Sequence, residues 1–442
     1  MTFFNEGMIK KMKNMEQKVL SYIDRHGENL DHLLSRLIRI PSVNYSSHGD
    51  EERCEGLIMD EFRSLGLQTE KYYPDHVPGV TKSSGYLPGR GTDRRPNFSA
   101  VYHAPHGTKR VMLASHTDVM PAGDPAQWSV DPFGGVIRDG RIYGRGANDN
   151  KFGIASSVIA LRAIRECGIE LENDVVLEAY CDEEYGGGNG ALGASLKHRC
   201  DAIVNTDGGN YEIWSCSMGG QIMEISVEAL QPQDSSTLAV DALLVVREEL
   251  RLFINNRYAE LKANRYFAGT DMERSAFRFY EFLAGDGGIG CNLEQGKLSF
   301  VFYTDKPQEE IKEELEETTA RIRGRLERMG VRTGGFYPLT RFFHCLSLPD
   351  EEETLQTLKQ AAEEVSGSPV RISGACLSDL SVFLKYGSPV SLNFGLVRDF
   401  RLYGGAHQFD EFVEQKELRE HCKALALFLL RWCGAHEQEG NA

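Results

Sequence analysis

VMLASHTD, residues 111–118, is a short apolar run, Val111 to Ala114, that stops on Ser115, His116, Thr117 and Asp118. Such a short apolar run followed by polar residues reads as a strand. The pattern recurs: Val175 to Tyr180 runs into Cys181-Asp182-Glu183-Glu184, Ala202 to Val204 into Asn205-Thr206-Asp207, and Val390 to Phe394 forms a later run of the same kind. Helical periods lie between them, as in Gly153 to Cys167, with Val158, Leu161 and Ile164 on one face. Strands alternating with helices predict an α/β domain with a mostly parallel sheet and helices on both faces.

Outward from this centre, Met8 to Ile40 has apolar residues at three- and four-residue spacings (Val19, Leu20, Ile23, Leu30, Leu33, Leu34, Leu37) and reads as helix up to Pro41. A second helix is expected over Glu51 to Leu65, and a Pro/Gly/Tyr-rich loop over Tyr72 to Asn97. The middle changes character. Gly219 to Glu228 alternates, Ser236 to Phe253 is helical, Lys297 to Tyr303 alternates, Pro307 to Met329 is a charged amphipathic helix, and an extra strand is expected near Ile289 to Leu293. That order suits an α+β module of the split βαβ kind. It predicts a domain at 215–335 inserted into a larger one made of 1–214 and 336–442.

Acidic residues number 65 against 49 Lys plus Arg, a formal charge of −16, which disfavours nucleic acid and anionic membranes as partners. The Arg94-Arg95 and Lys10-Lys11 pairs are too short for a nucleic-acid patch. No apolar run approaches the roughly 20 residues of a membrane span. The opening MTFFNEGMIKKMKNMEQK lacks the apolar core of a secretory signal, and the ten cysteines are scattered without a C-x-x-C pair. Together these predict a cytoplasmic protein with reduced thiols.

The chemistry collects where the runs end, since open α/β sheets bind ligands at the carboxyl ends of their strands. His116, Asp118, Glu183, Glu184 and Asp207 follow three runs, Asp149 stands in GRGANDNKFG before a helix, and His407 stands in GGAHQFDE after the last strand. So many carboxylates in one crevice repel each other unless cations are present. Two divalent metals satisfy them, and two His, a shared Asp and two terminal carboxylates suit a dinuclear zinc set. The i, i+2 spacing puts Asp118 beside His116, where it can hold the ring N–H. Of Glu183 and Glu184, one would bind metal while the other takes a proton from water and returns it to a leaving nitrogen.

HTDVMPAGDPAQW, DPFGGVIRDGRIYGRGANDNKFG, DEEYGGGNG, the Asp207 strand end and GGAHQFDEF resemble, in order and spacing, the dinuclear zinc peptidase and deacylase family. That family includes acetylornithine deacetylase, succinyl-diaminopimelate desuccinylase, aminoacylase and several cytosolic dipeptidases. The resemblance covers roughly 35 to 214 and 370 to 415. It implies a zinc-binding catalytic domain with an inserted lid and dimerisation domain, and two Zn2+ ions, with Co2+ or Mn2+ as substitutes. Asp149 would bridge the ions, His116 and Asp207 would complete one, and Glu184 and His407 the other. Glu183 would be general base and acid, Asp118 would orient His116, and the Asp149-Asn150 peptide would be cis. The implied activity is hydrolysis of the amide of a small N-acyl amino acid or short peptide, by a chain able to pair as a homodimer through the insert.

The family's lid usually carries a histidine before its first helix, whereas this chain reads Gln231-Pro232-Gln233-Asp234-Ser235-Ser236. Losing one oxyanion donor typically costs about 100- to 1000-fold in rate, so a metal-binding member with weak or lost catalysis is the alternative. The lid strand reads Phe302-Tyr303-Thr304-Asp305 without the usual arginine, leaving Arg398 as the candidate for a substrate carboxylate. Deacylases tend to have Glu where this chain has Asp207; dipeptidases tend to have Asp. A third class, a dinucleotide-binding oxidoreductase, rests on Gly188-x-Gly190-x-x-Gly193 followed by Asp207. It leaves His116, Asp149 and His407 unexplained.

Overall fold

The computed structural model describes residues 6–45, 47–91, 93–230, 238–285 and 294–438. Contacts divide the chain into two compact units, one of Met1–Ser215, Ser347–Ala375 and Val382–Ala442, the other of Cys216–Leu346 and Cys376–Ser381.

In the first unit the strands Asp174–Tyr180, Arg110–His116, Ala202–Asn205 and Ser391–Phe394 lie side by side in that order, all parallel. Antiparallel strands extend this centre: Asn97–Tyr102 and Gln68–Tyr72 on one side, Ile213–Ser217 on the other. One face buries Met112, Ala114, Val176 and Ile203 against Ala191, Leu192 and Phe383. The helix Lys151–Glu166 also packs on the Arg110–His116 strand, and Val111, Leu113, Val175 and Leu177 are at most 1 % exposed. Both faces of each strand are therefore covered, which is why the runs are apolar throughout rather than alternating. Each such Val or Leu contributes roughly 1.5–3 kcal/mol.

The helix expected over Met8 to Ile40 is two helices, Glu6–Arg25 and Gly27–Ile38. A Cβ on Gly27 would stand 2.6 Å from Arg419 Nε. Glycine there leaves room for a guanidinium that donates to buried Asp31 at 2.7 Å.

The second unit holds a four-stranded antiparallel sheet in the order Phe277–Ala284, Gln295–Thr304, Gly219–Ala229, Val331–Pro338. Ile225, Val227, Leu298 and Phe300 bury their side chains with Leu243 and Val246 of the helix Leu238–Glu249 and with Ile322 and Leu326 of the helix Gln308–Arg328. The strand expected at Ile289 to Leu293 lies outside the described residues. The Phe277–Ala284 strand has no sequence alternation to announce it, because most of its residues are exposed.

Candidate metal centre

Register gathers the candidate residues. His116 pairs with Tyr180 across one parallel ladder, and Ala114 with Asn205 across the other. The polar residues after these strands therefore emerge at one edge of the sheet. A further segment is pressed against it at the start of the Lys151–Glu166 helix. The Asp149-Asn150 peptide is cis, as the family resemblance implies. Thr206 Oγ1 donates to Asn150 Oδ1 at 3.2 Å, and Gly153 has no side chain because a Cβ there would stand 1.8 Å from Thr206 Oγ1.

Asp149 faces two histidines. Its Oδ1 is 3.0 Å from His116 Nε2 and its Oδ2 is 3.2 Å from His407 Nε2. The same His407 nitrogen lies 2.6 Å from Glu184 Oε2. Potential ligand atoms of His116, Asp149 and Glu184 all fall within 4.8 Å of one another. Asp207 is 7 % exposed and lies within electrostatic reach of all four.

The electrostatics follow from this crowding. Burial, reinforced by the Asp149 and Glu184 charges, pushes Asp207 up to about 7 and raises Glu184 as well. Burial opposes charge on His116 and His407, yet the surrounding carboxylates outweigh it and hold both rings well above the usual histidine range. Oxygen and imidazole donors, buried and close together, form a donor set that suits divalent zinc.

Asp118 contacts His116 in a different way from the sequence expectation. The ring Nδ1 donates to the Asp118 main-chain carbonyl at 3.0 Å, while the carboxylate Oδ1 stands 3.6 Å away, beyond hydrogen-bond length. The carboxylate instead accepts the backbone N–H of Glu183 at 2.9 Å, that of Glu184 at 3.0 Å, and Asn44 Nδ2 at 2.7 Å. Burial would raise its pKa, but His116, the Glu184 N–H and the Arg95 charge hold it well below the carboxylate range.

Other charged groups, unmarked by any motif, brace the loops. Arg145 donates to Glu411 at 2.6 Å and the Asn148 N–H donates to the other Glu411 oxygen at 3.0 Å, joining the Asp149 loop to the His407 loop. Lys151 is buried and donates to the carbonyls of Leu37 and Ile40 at 3.0 and 2.6 Å. Arg95 is 1 % exposed, an inward pairing that an Arg-Arg dipeptide does not reveal. Arg398 donates to Glu417 at 2.6 Å and lies over the Phe412 ring; its contacts do not bring it to the histidines. The glycines of the dinucleotide-like pattern all face protein: a Cβ on Gly188 would meet Asp182, one on Gly190 the Cys181 carbonyl, one on Gly193 Pro74.

Among solved structures, the dipeptidase Dug1p of Saccharomyces cerevisiae superposes with a TM-score of 0.72 at 16 % identity, over 95 % of this chain and 98 % of that one. Human carnosine dipeptidase 1 gives 0.69 at 16 % identity, over 95 % and 99 %. In sequence, succinyl-diaminopimelate desuccinylase of Rhodospirillum centenum is 39 % identical over 130 residues, 29 % of this chain and 29 % of the relative's length. The profile described as peptidase family M20/M25/M40 matches residues 112–431, most of the sequence and every strand end described above, and the chain belongs to that family.

Proposed function

We propose that the chain is a metal-dependent hydrolase that cleaves the linear amide of a small N-acyl amino acid or a short peptide, with two zinc ions as its cofactor. His116, Asp149 and Asp207 would hold one ion, and Asp149, Glu184 and His407 the other. The observation that carries this reading is Asp149, whose two carboxylate oxygens each face a different histidine at 3.0 and 3.2 Å. A bridging carboxylate between two cations needs that disposition.

Bound ions would polarise the amide carbonyl and lower the pKa of water. The chain's own part falls to Glu183, which takes the proton of the attacking water and returns it to the leaving nitrogen. Its backbone is fixed for this by the Asp118 carboxylate, at 2.9 Å from its N–H. General acid–base catalysis of this kind contributes roughly 10²- to 10⁴-fold.

The same reading includes a homodimer through residues 215–335. It is supported by the edge strand Phe277–Ala284, whose Phe279, Tyr280 and Phe282 are exposed, and sedimentation checks it. It also includes a cytoplasmic location, checked by cell fractionation. Among the described residues no helix is long and apolar enough to cross a membrane.

The test is hydrolysis of a panel of acetyl, succinyl and dipeptide substrates with zinc, cobalt and manganese in turn. Glu183→Gln should keep its metal and lose at least 100-fold in kcat, whereas Asp149→Ala should lose metal as well. Equal turnover by Glu183→Gln and the parent would defeat the mechanism.

A further inference from the structure

Behind the Glu183-Glu184 turn lies a buried chain of ionisable groups that the hydrolytic reading does not require. Glu51 is 0 % exposed, and its Oε1 accepts Arg95 Nε at 2.9 Å and Nη2 at 2.8 Å. The same Arg95 nitrogen lies 2.7 Å from Asp182 Oδ1. From the other side Arg90 grips Asp182 with two nitrogens, Nε at 3.2 Å from Oδ2 and Nη2 against Oδ1. Asn44 then ties Asp182 Oδ1, at 3.2 Å, to Asp118 Oδ2, at 2.7 Å. Asp182 itself takes the left-handed conformation, φ 63°. That turn directs the next two backbone N–H groups at one anion, the Asp118 carboxylate.

We infer that Asp182, clamped by Arg90 and Arg95, is a positioning residue that sets where Glu183 and Glu184 leave the strand end. The inference rests on the proposed hydrolytic reading. The side chain fixes the turn from one side while Asp118 fixes its N–H groups from the other, so Glu183 is held relative to His116 through a closed circuit of hydrogen bonds. Two planar guanidinium forks suit this task because each meets a carboxylate oxygen along a fixed direction. A lysine in their place would supply charge without the second contact.

Asp182→Asn separates the clamp from the fold. Asn tolerates the left-handed conformation nearly as well as Asp, yet it offers one acceptor oxygen where the two arginines now share two. Saturated with metal, this variant should lose 10- to 100-fold in kcat with KM within threefold of the parent. Arg95→Lys should fall between variant and parent. Circular dichroism and metal content identify the folded, loaded fraction to which kcat is referred. A folded, metal-loaded Asp182→Asn with the parent's kcat and only a lower unfolding midpoint would overturn the inference, because the network would then be structural. That result leaves hydrolysis by the parent standing. If the parent turns over nothing on the panel, the hydrolytic reading fails, and zinc titration decides the clamp through Glu184. Binding to Asp182→Asn at least threefold weaker than to the parent retains it; equal or absent binding removes it.

Discussion

Gly153→Ala tests whether the site depends on how closely the Lys151–Glu166 helix approaches the sheet. The added Cβ would lie 1.8 Å from Thr206 Oγ1, 2.6 Å from Thr206 Cβ and 2.8 Å from Asn150 Oδ1. Ordinary contact begins at about 3.4 Å; 3.4 minus 1.8 leaves about 1.6 Å to be found by movement. Thr206 cannot turn away freely, since its hydroxyl is engaged with Ser115 Oγ at 2.7 Å, the Ala114 carbonyl at 3.1 Å and Asn150 Oδ1 at 3.2 Å. Overpacking of this kind costs roughly 1–3 kcal/mol, and each lost hydrogen bond adds about 1 kcal/mol. The better helix propensity of Ala returns about 1 kcal/mol. With one hydrogen bond lost, the expected net loss is about 1–3 kcal/mol. If the helix yields instead, Asp149 shifts relative to Asp207, and a displacement near 1 Å costs on the order of 100-fold in rate. Urea unfolding, metal content by elemental analysis and kcat on the best panel substrate measure the three effects. A variant with the parent's midpoint, metal content and kcat would refute the claim that contact between Gly153 and Thr206 sets the spacing of Asp149 and Asp207.

Gly324→Ala has the opposite sign: it lies inside the Gln308–Arg328 helix with nothing within 4 Å of an added Cβ. It should raise stability by about 1 kcal/mol, and a lower melting temperature would contradict this. Burial pushes Glu178 from 4.5 up to about 8, despite hydrogen bonds from Tyr72 and Asn97 that favour its charge. The folded chain thus binds this proton more tightly than the unfolded one. Its contribution is full below about 4.5 and is lost as pH rises toward about 8. Glu178→Gln should therefore outlast the parent in urea by a margin of order 1 kcal/mol or more that grows from pH 5 to pH 8; a margin independent of pH would count against it. Because His116, His407 and Asp207 all hold protons more tightly than usual, zinc should bind more tightly as pH rises from about 6 to 8, releasing protons. Calorimetry in two buffers of different ionisation enthalpy detects that release, and pH-independent affinity would exclude it.

The strands that carry the site were legible because both faces are buried, so each run is apolar until it meets the polar groups it delivers. His116, Asp149, Glu184 and His407, named from the sequence, lie in contact. Less legible was anything whose partner is remote in sequence. Arg95 meets Glu51 44 positions away and Arg145 meets Glu411 266 positions away, and no local period records such pairs. The Asp118 contact illustrates a subtler limit. Spacing placed this residue beside His116, but whether the carbonyl or the carboxylate takes the ring N–H depends on backbone direction after the strand. Likewise the glycine at position 27 answers to a guanidinium from position 419.

The arginines also divide the buried acids into two sets. Glu51 and Asp182 share Arg95, Asp182 also holds Arg90, and Glu411 holds Arg145. Each of these outer carboxylates is buried and would be costly alone; burial pushes Glu51 up to about 8 and Glu411 up to about 7, and each acid is matched by a guanidinium that cannot lose its charge. Asp149 and Glu184 meet histidines instead. A histidine, unlike an arginine, can surrender its proton and turn a lone pair to a cation. The permanent cations therefore occupy the outer positions, and the titratable ones stand beside the acids proposed as metal ligands. On the proposed ligand set, a divalent ion settling among the outer acids would have to displace an arginine and leave a second buried charge unpaired. Entry at the inner set would cost only protons. On that proposal, selectivity for the inner position would follow from the kind of base beside each acid, a distinction that acidic residue counts alone do not contain.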